Sequence, residues 1–259
     1  MTPAPAPTAT PAPPVDPCGS ILSVVNRPSF GTGVCTVRTG HADVEIGYTD
    51  TATAGNGGGN TALYPQVLVR FGTANPRFDL EFGAPSAVRS SAGGTVASGA
   101  SDANVGAKVE LGYDAFASWG LSGIVSLPTG TNGFSAGRAQ YSGSFNWSRT
   151  IDAAFSLSGS LGANAFAGTN ASGSPQTYFA FSPTLALSAA LPGGPSQLTA
   201  EYAFFSAAGP GLGGKSWIDV IYARDLGSHA QIDIEYGVSP TSIGGQTQRY
   251  VGAGISFMN

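Results

Sequence analysis

The chain has 259 residues, of which only 10% are charged, and a formal net charge of −4. An ordinary soluble domain carries about 25% charged residues, so this surface is too weakly charged to face water on every side; with 42% hydrophobic residues the chain is also too apolar for disorder. No apolar run approaches the ~18 residues of a membrane-spanning helix, and no basic excess marks a nucleic-acid partner. An all-β chain whose outer solvent is lipid fits, because half of each membrane-barrel strand faces hydrocarbon and needs no charge.

Residues 1–17, MTPAPAPTATPAPPVDP, form a Pro/Ala/Thr tract that favours polyproline II and cannot build a core. It reads as a tail or linker. Neither a basic n-region nor an apolar h-region is visible at the start, so an exported chain implies a signal peptide already removed. Cys18 and Cys35 are the only cysteines. Two cysteines a short loop apart suggest one disulfide formed in an oxidising compartment. His41 and His229 have no ligand spacing relative to them, so no metal or other cofactor is expected.

A two-residue period begins near residue 42 and runs to the end, the signature of half-buried strands. Val44, Ile46 and Tyr48 alternate with Asp43, Glu45 and Gly47. Val67, Val69 and Phe71 alternate with Gln66, Leu68 and Arg70, and Phe78, Leu80 and Phe82 with Arg77, Asp79 and Glu81. Val105 to Leu111 oppose a face carrying Lys108 and Glu110. Further alternating stretches centre on Leu121, Phe145, Leu157, Leu185, Tyr202, Val220, Ile234 and Ala253, which predicts about 12 strands, an even number as bacterial outer-membrane barrels have. Charges within these strands, including Glu201, Asp219, Asp233 and Glu235, all sit on the polar parity, whose other members are mostly Gly, Ser, Asn and Thr. Aromatics such as Tyr48, Phe71, Phe82 and Tyr236 gather toward strand ends on the apolar parity, as interfacial girdles do.

Connections alternate in length. Residues 49–62, 86–101, 129–137, 167–175, 207–214 and 238–247 read as long ones, with short turns between. Long connections on one end and short on the other are expected of a barrel whose termini lie on the periplasmic side. Residues 1–40 are thus expected to be a Pro-rich, disulfide-bearing segment and 41–259 a single antiparallel transmembrane β-barrel.

Gly209–Ser216, GPGLGGKS, matches the phosphate-loop pattern letter for letter. That chemistry needs a helix after the loop, and WIDVIYA reads as a strand, so the motif is expected to be a Gly-rich external loop. No G-x-S-x-G elbow is present and no catalytic residue is expected. The candidate lumen-lining residues are Asp43, Glu45, Arg70, Arg77, Asp79, Glu81, Lys108, Glu110, Arg138, Glu201, Asp219, Asp233 and Glu235. They form either a charged constriction that filters permeants or a self-neutralised ion-pair network that fills the lumen; barrel width does not choose between them.

The segments RFDLEFG (77–83), DANVGAKVEL (102–111), SLPTG (126–130), FNWSRTIDAAFSLSGSLG (145–162), FSPTLALSAAL (181–191) with LTAEY (198–202), IDIEYGVS (232–239) and YVGAGISF (250–257) resemble, in order and spacing, the bacterial family named for the MetA-pathway of phenol degradation. The resemblance implies an outer-membrane barrel for uptake of small, often aromatic or hydrophobic compounds, and it carries no catalytic residues. The expected function is a narrow passive channel with a weak cation preference, partnered by outer-membrane lipid and a small permeant. The alternatives are a closed anchoring barrel, whose tail contacts the cell wall or whose Cys18–Cys35 segment plugs the pore, and a secreted lipocalin-like binder.

Overall fold

The structure, a computed structural model, describes residues 16–55 and 57–259. The Pro-rich tract up to Val15 lies outside the described residues. A four-residue helix, α1 (Ile21–Val24), is followed by β1 (Ala42–Ala54), β2 (Gly59–Gly72), β3 (Phe78–Ala84), β4 (Ala87–Ala92), β5 (Thr95–Ala100), β6 (Ala103–Tyr113) and β7 (Ala117–Leu127). The second half contributes β8 (Gln140–Thr150), β9 (Phe155–Thr169), β10 (Pro175–Ala190), β11 (Ser196–Phe205), β12 (Lys215–Asp225), β13 (Ala230–Ile243) and β14 (Gln246–Met258).

Neighbours pair antiparallel, and β1 pairs with both β2 and β14. This closes a ring of 12 strands from which only β4 and β5 are excluded. Closure leaves no free edge in the ring, the condition for crossing a bilayer with strands. The apolar parity points outward: Phe179 is 77% exposed and Ile234 59%, and Phe82, Leu121, Leu185 and Val251 are likewise exposed. An apolar surface this extensive is stable only against lipid. The polar parity points inward, where Asp43, Glu45, Arg70 and Lys108 are wholly buried.

The end of the ring opposite the C-terminus departs from the sequence reading in one respect. Of the stretches read as long connections, 49–62, 86–101 and 238–247 are largely strand, whereas 129–137 and 207–214 are loops. β1 runs on to Ala54 and β2 starts at Gly59, β13 and β14 meet at Gly244–Gly245, and residues 87–100 fold as the β4–β5 hairpin. Beyond the bilayer both faces of a strand meet water, so apolar alternation disappears while the backbone ladder continues. β4 pairs with the outer half of β2, from Gly59↔Ala92 to Tyr64↔Ala87, and so extends the wall outward. Pro65 cannot donate to a ladder, and near it the β1–β2 register shifts, between Gly47 and Thr49.

The β7–β8 loop closes over this extension. Thr131 N–H donates to the Ala100 carbonyl at 2.9 Å, and the Asp102 carboxylate accepts the N–H groups of Gly130 and Ala136, each at 2.9 Å. Partial burial raises the Asp102 pKa, but the Ser135 hydroxyl and the backbone donors outweigh it and hold the group below the usual carboxylate range. A depressed carboxyl stabilises above its unfolded pKa and stops doing so as pH falls through its folded one. Asp102→Ala is therefore expected to raise tryptic cleavage after Arg138 several-fold, with the heat-modifiable gel migration of the barrel unchanged. In the unmodified protein, the protection of this loop against hydrogen exchange, relative to the intrinsic rate at each pH, should fall as pH drops below about 4.

Candidate functional site

The lumen is occupied by the chain's own N-terminal segment, residues 16–40. Cys18 and Cys35 form a disulfide, and with Val24, Val37 and Met258 they make a small apolar cluster at the end of the barrel that carries the C-terminus. Short turns mark that end as the periplasmic one. The segment has one helical turn and is otherwise irregular. Irregular backbone at membrane depth requires partners for its polar groups, and the inward carboxylates supply them.

The first anchor is built from cross-strand neighbours. Register places Asp43 opposite Arg70, Arg70 opposite Glu81, and Asp79 opposite Lys108, across β1, β2, β3 and β6. The Arg70 guanidinium contacts Asp79 at 2.7 Å and Glu81 at 3.3 Å, with Asp43 and Glu45 at 3.7 and 3.8 Å. It also donates to the carbonyls of Val24 (2.5 Å) and Cys35 (2.9 Å) in the segment. Lys108 donates to Asn26 Oδ1 at 2.6 Å and lies 3.9 Å from Glu81. In return, Glu45 accepts the N–H groups of Asn26 and Arg27 (3.0 and 2.8 Å), and Asp79 accepts that of Val37 (2.8 Å).

A slot for Arg27 forms the second anchor. Gly47 and Gly254 are register partners on β1 and β14, and a Cβ on either would run into the Arg27 side chain. Over this glycine floor the guanidinium reaches Asp233 (3.6 Å), Glu235 (3.9 Å), Gln66 Oε1 (3.2 Å) and the Ala253 carbonyl (3.2 Å).

The third anchor is Glu201. It accepts the N–H groups of Phe30 and Gly31, both at 2.8 Å, and the Ser29 hydroxyl at 2.9 Å. The Phe30 ring then packs among Trp217 (5.7 Å), Tyr250 (5.8 Å) and Phe205 (6.3 Å), within the range where aromatic pairs attract. Tyr250 donates to Asp219 at 2.7 Å. At the periplasmic rim, Arg38 bridges Asp16 (2.5 Å) and Glu110 (3.3 Å).

The structure thus gathers Asp43, Glu45, Arg70, Asp79, Glu81 and Lys108 into one buried network, Asp233 and Glu235 around Arg27, and Glu201 and Asp219 beneath the aromatic cluster. Glu110 sits at the rim. Arg77 corrects the expectation: it is exposed in the turn before β3, because parity assigns a side only to residues already in the ladder. Arg138 lies in the β7–β8 loop beside Thr177 (3.4 Å), also outside the strand wall. Sequence reasoning missed Arg27, Ser29, Phe30, Trp217 and Tyr250. The available signal was an acid-rich inner parity with few cations of its own, facing a tail whose described part holds Arg27 and Arg38.

Two cavities flank the residue 26–31 strap. An outer one of about 380 Å³ is lined by Phe30, Thr49, Gln66, Trp217, Glu235 and Tyr250; an inner one of about 430 Å³ lies against β7–β13, where hydroxyls are joined by the apolar Ile221 and Ala223. Asn26, Arg27, Pro28 and Ser29 border both.

A closed antiparallel ring with an apolar exterior and its charges turned inward defines an outer-membrane β-barrel. The chain matches the family described as "Putative MetA-pathway of phenol degradation" over residues 25–214, and it belongs to that family. Among solved structures it is similar to the COG4313 outer membrane channel from Pseudomonas putida F1. The identity there is 11%, with 91% of this chain and 100% of that chain covered at a TM-score of 0.68. It is also similar to the NanC porin, at 10% identity, 83% and 98% coverage and a TM-score of 0.54. At these identities the likeness is one of fold. A comparison with curated proteins finds no match.

Removing one member of a buried ion network strands the others, at a cost of about 3–5 kcal/mol. Arg70→Met should therefore lower the temperature of heat-modifiable unfolding sharply or prevent refolding, while Arg77→Met leaves both unchanged.

Proposed function

We propose that the protein is a narrow passive channel of the bacterial outer membrane for small solutes, constricted by residues 26–31 of its own N-terminal segment. The observation that carries this reading is the pair of cavities that share Asn26–Ser29 as a common border inside a closed barrel. A solute crosses by passing the strap, so the strap sets the size limit. The expected lumen candidates divide in role. Asp43, Glu45, Arg70, Asp79, Glu81 and Lys108 hold the strap against one wall. Glu201 holds it at the other end, Asp233 and Glu235 hold Arg27, and of these Glu201 and Glu235 also border the cavities beside the strap. Inward carboxylates outnumber Arg27, Arg38, Arg70, Lys108 and Lys215, which favours cations over anions. No catalytic step is assigned to these carboxylates.

Single-channel recording in a planar bilayer under a salt gradient tests this reading. Discrete current steps with a reversal potential on the cation side are expected. Silence from protein that is folded and inserted would overturn it in favour of a closed anchoring barrel. The strap's role has its own test at Gly31, where a Cβ would lie 2.8 Å from Thr184 Oγ1 and 3.1 Å from Glu201 Oε1. Gly31→Ala and Glu201→Gln both weaken the strap's hold on β10–β11, and each should raise open-channel conductance or its noise several-fold. Unchanged currents in both would place the constriction elsewhere.

A further inference from the structure

The inner cavity is chemically unlike the rest of the lumen. Six hydroxyls border it without a protein hydrogen-bond partner among the described residues: that of Thr32 on the N-terminal segment, and those of Ser118, Ser148, Thr150, Ser156 and Ser158 on the strand wall. The five on the wall form one patch. Ser118 pairs with Ser148 across β7–β8, Ser148 with Ser158 across β8–β9, and Thr150 with Ser156 in the next row. Paired residues on one face have Cβ atoms about 5 Å apart, so the hydroxyls recur at the spacing of a small ring's substituents.

The two charged residues bordering this cavity are already engaged. Glu201 accepts two backbone N–H groups and a hydroxyl from the strap, and the Arg27 guanidinium lies in its slot beside Asp233 and Glu235. Little charge is left to select an ion here. Phe30, Trp217 and Tyr250 lie at the other cavity; Trp147 borders this one, with its indole packed beside Gly159. An apolar ring in the inner cavity would bury unpaired hydroxyls, and sites with polar groups to satisfy reject ligands that cannot satisfy them. A hydroxyl is both donor and acceptor and rotates to suit its partner. At about 430 Å³ the cavity is in the size range of small-molecule sites.

We propose that this cavity is a binding subsite for an uncharged polyhydroxylated solute of monosaccharide size, gripped by the Ser118, Ser148, Thr150, Ser156 and Ser158 hydroxyls. The proposal rests on the channel reading and narrows it, turning the permeant class from the aromatic or hydrophobic compounds implied by family resemblance toward hydrophilic ones.

The test uses the full chain in a planar bilayer, with glucose and phenol as the added solutes. Glucose is expected to reduce the ionic current in a saturable, concentration-dependent way, and phenol at the same concentrations to leave it nearly unchanged. The double variant Ser148→Ala/Ser158→Ala should weaken the glucose block several-fold without loss of current steps, and Ser148→Thr/Ser158→Thr, which keeps the hydroxyls, should retain it. Current steps with no glucose block, or a stronger block by phenol, would overturn the subsite and leave the channel standing. If no current steps appear, the channel reading falls. Saturation-transfer NMR on the detergent-solubilised protein then decides the subsite: a glucose signal that the Ala variant loses supports it, and no signal overturns it.

Discussion

The guanidinium of Arg70 is wholly buried inside a ring whose outside is hydrocarbon, so it must find its partners in the lumen. A guanidinium has five donors in a fixed fork. Here they meet carboxylates from β1 and β3 and, on the other side, the carbonyls of Val24 and Cys35. The same group thus neutralises the wall and seats the N-terminal segment. A buried network of this kind adds little net stability compared with apolar packing, yet it is costly to break. What it provides is position: the segment is held in one place against one side of the barrel.

That side is decided by which strands carry charge. The segment is bound to β1, β2, β3, β6, β11 and β13, where the acids and Arg70 and Lys108 lie. The wall from β7 to β10 instead carries hydroxyls, several of which are satisfied by hydroxyls on the wall or on β11 beside it, as Ser122 is by Ser144 (2.7 Å), Ser160 by Thr184 (2.9 Å) and Ser188 by Thr199 (2.8 Å). Such a wall exerts no electrostatic demand on the segment. The segment leans toward charge, and free volume is left beside the hydroxyls. The route for a solute follows from charge placement along the sequence rather than from barrel diameter.

Much of this was legible in advance. The alternation from Val44 to Phe257 placed the strands and their two faces because lipid on one side enforces it. Asp43, Glu45, Arg70, Asp79, Glu81 and Lys108 could be read as inward by parity alone. Strand length was not legible beyond the bilayer, where Thr51, Asn60 and Thr247 meet water on both faces and carry no alternation; the same loss of signal hid the β4–β5 hairpin. Arg77 and Arg138 were misplaced because parity has no meaning in a turn or loop. Whether the charges form a filter or a network stayed open because the deciding residue, Arg27, lies in a segment without periodicity. Gly47 and Gly254 are each an unremarked small residue on the polar parity, and only register brings them together as the floor of its slot.

The strap makes its own demand on the lumen charges. Residues 26–31 have no regular secondary structure to absorb their N–H groups, and orphaned backbone donors at this depth are costly. Glu45 takes two of them at one end and Glu201 takes two at the other. The disulfide between Cys18 and Cys35 encloses the strap in a closed loop, restricting the conformations it has to lose on folding. These carboxylates therefore act first as acceptors that cap an irregular backbone, and their charge is largely absorbed in doing so. The free charge that faces the cavities is therefore smaller than the number of inward acids, and neutral groups make up correspondingly more of their lining.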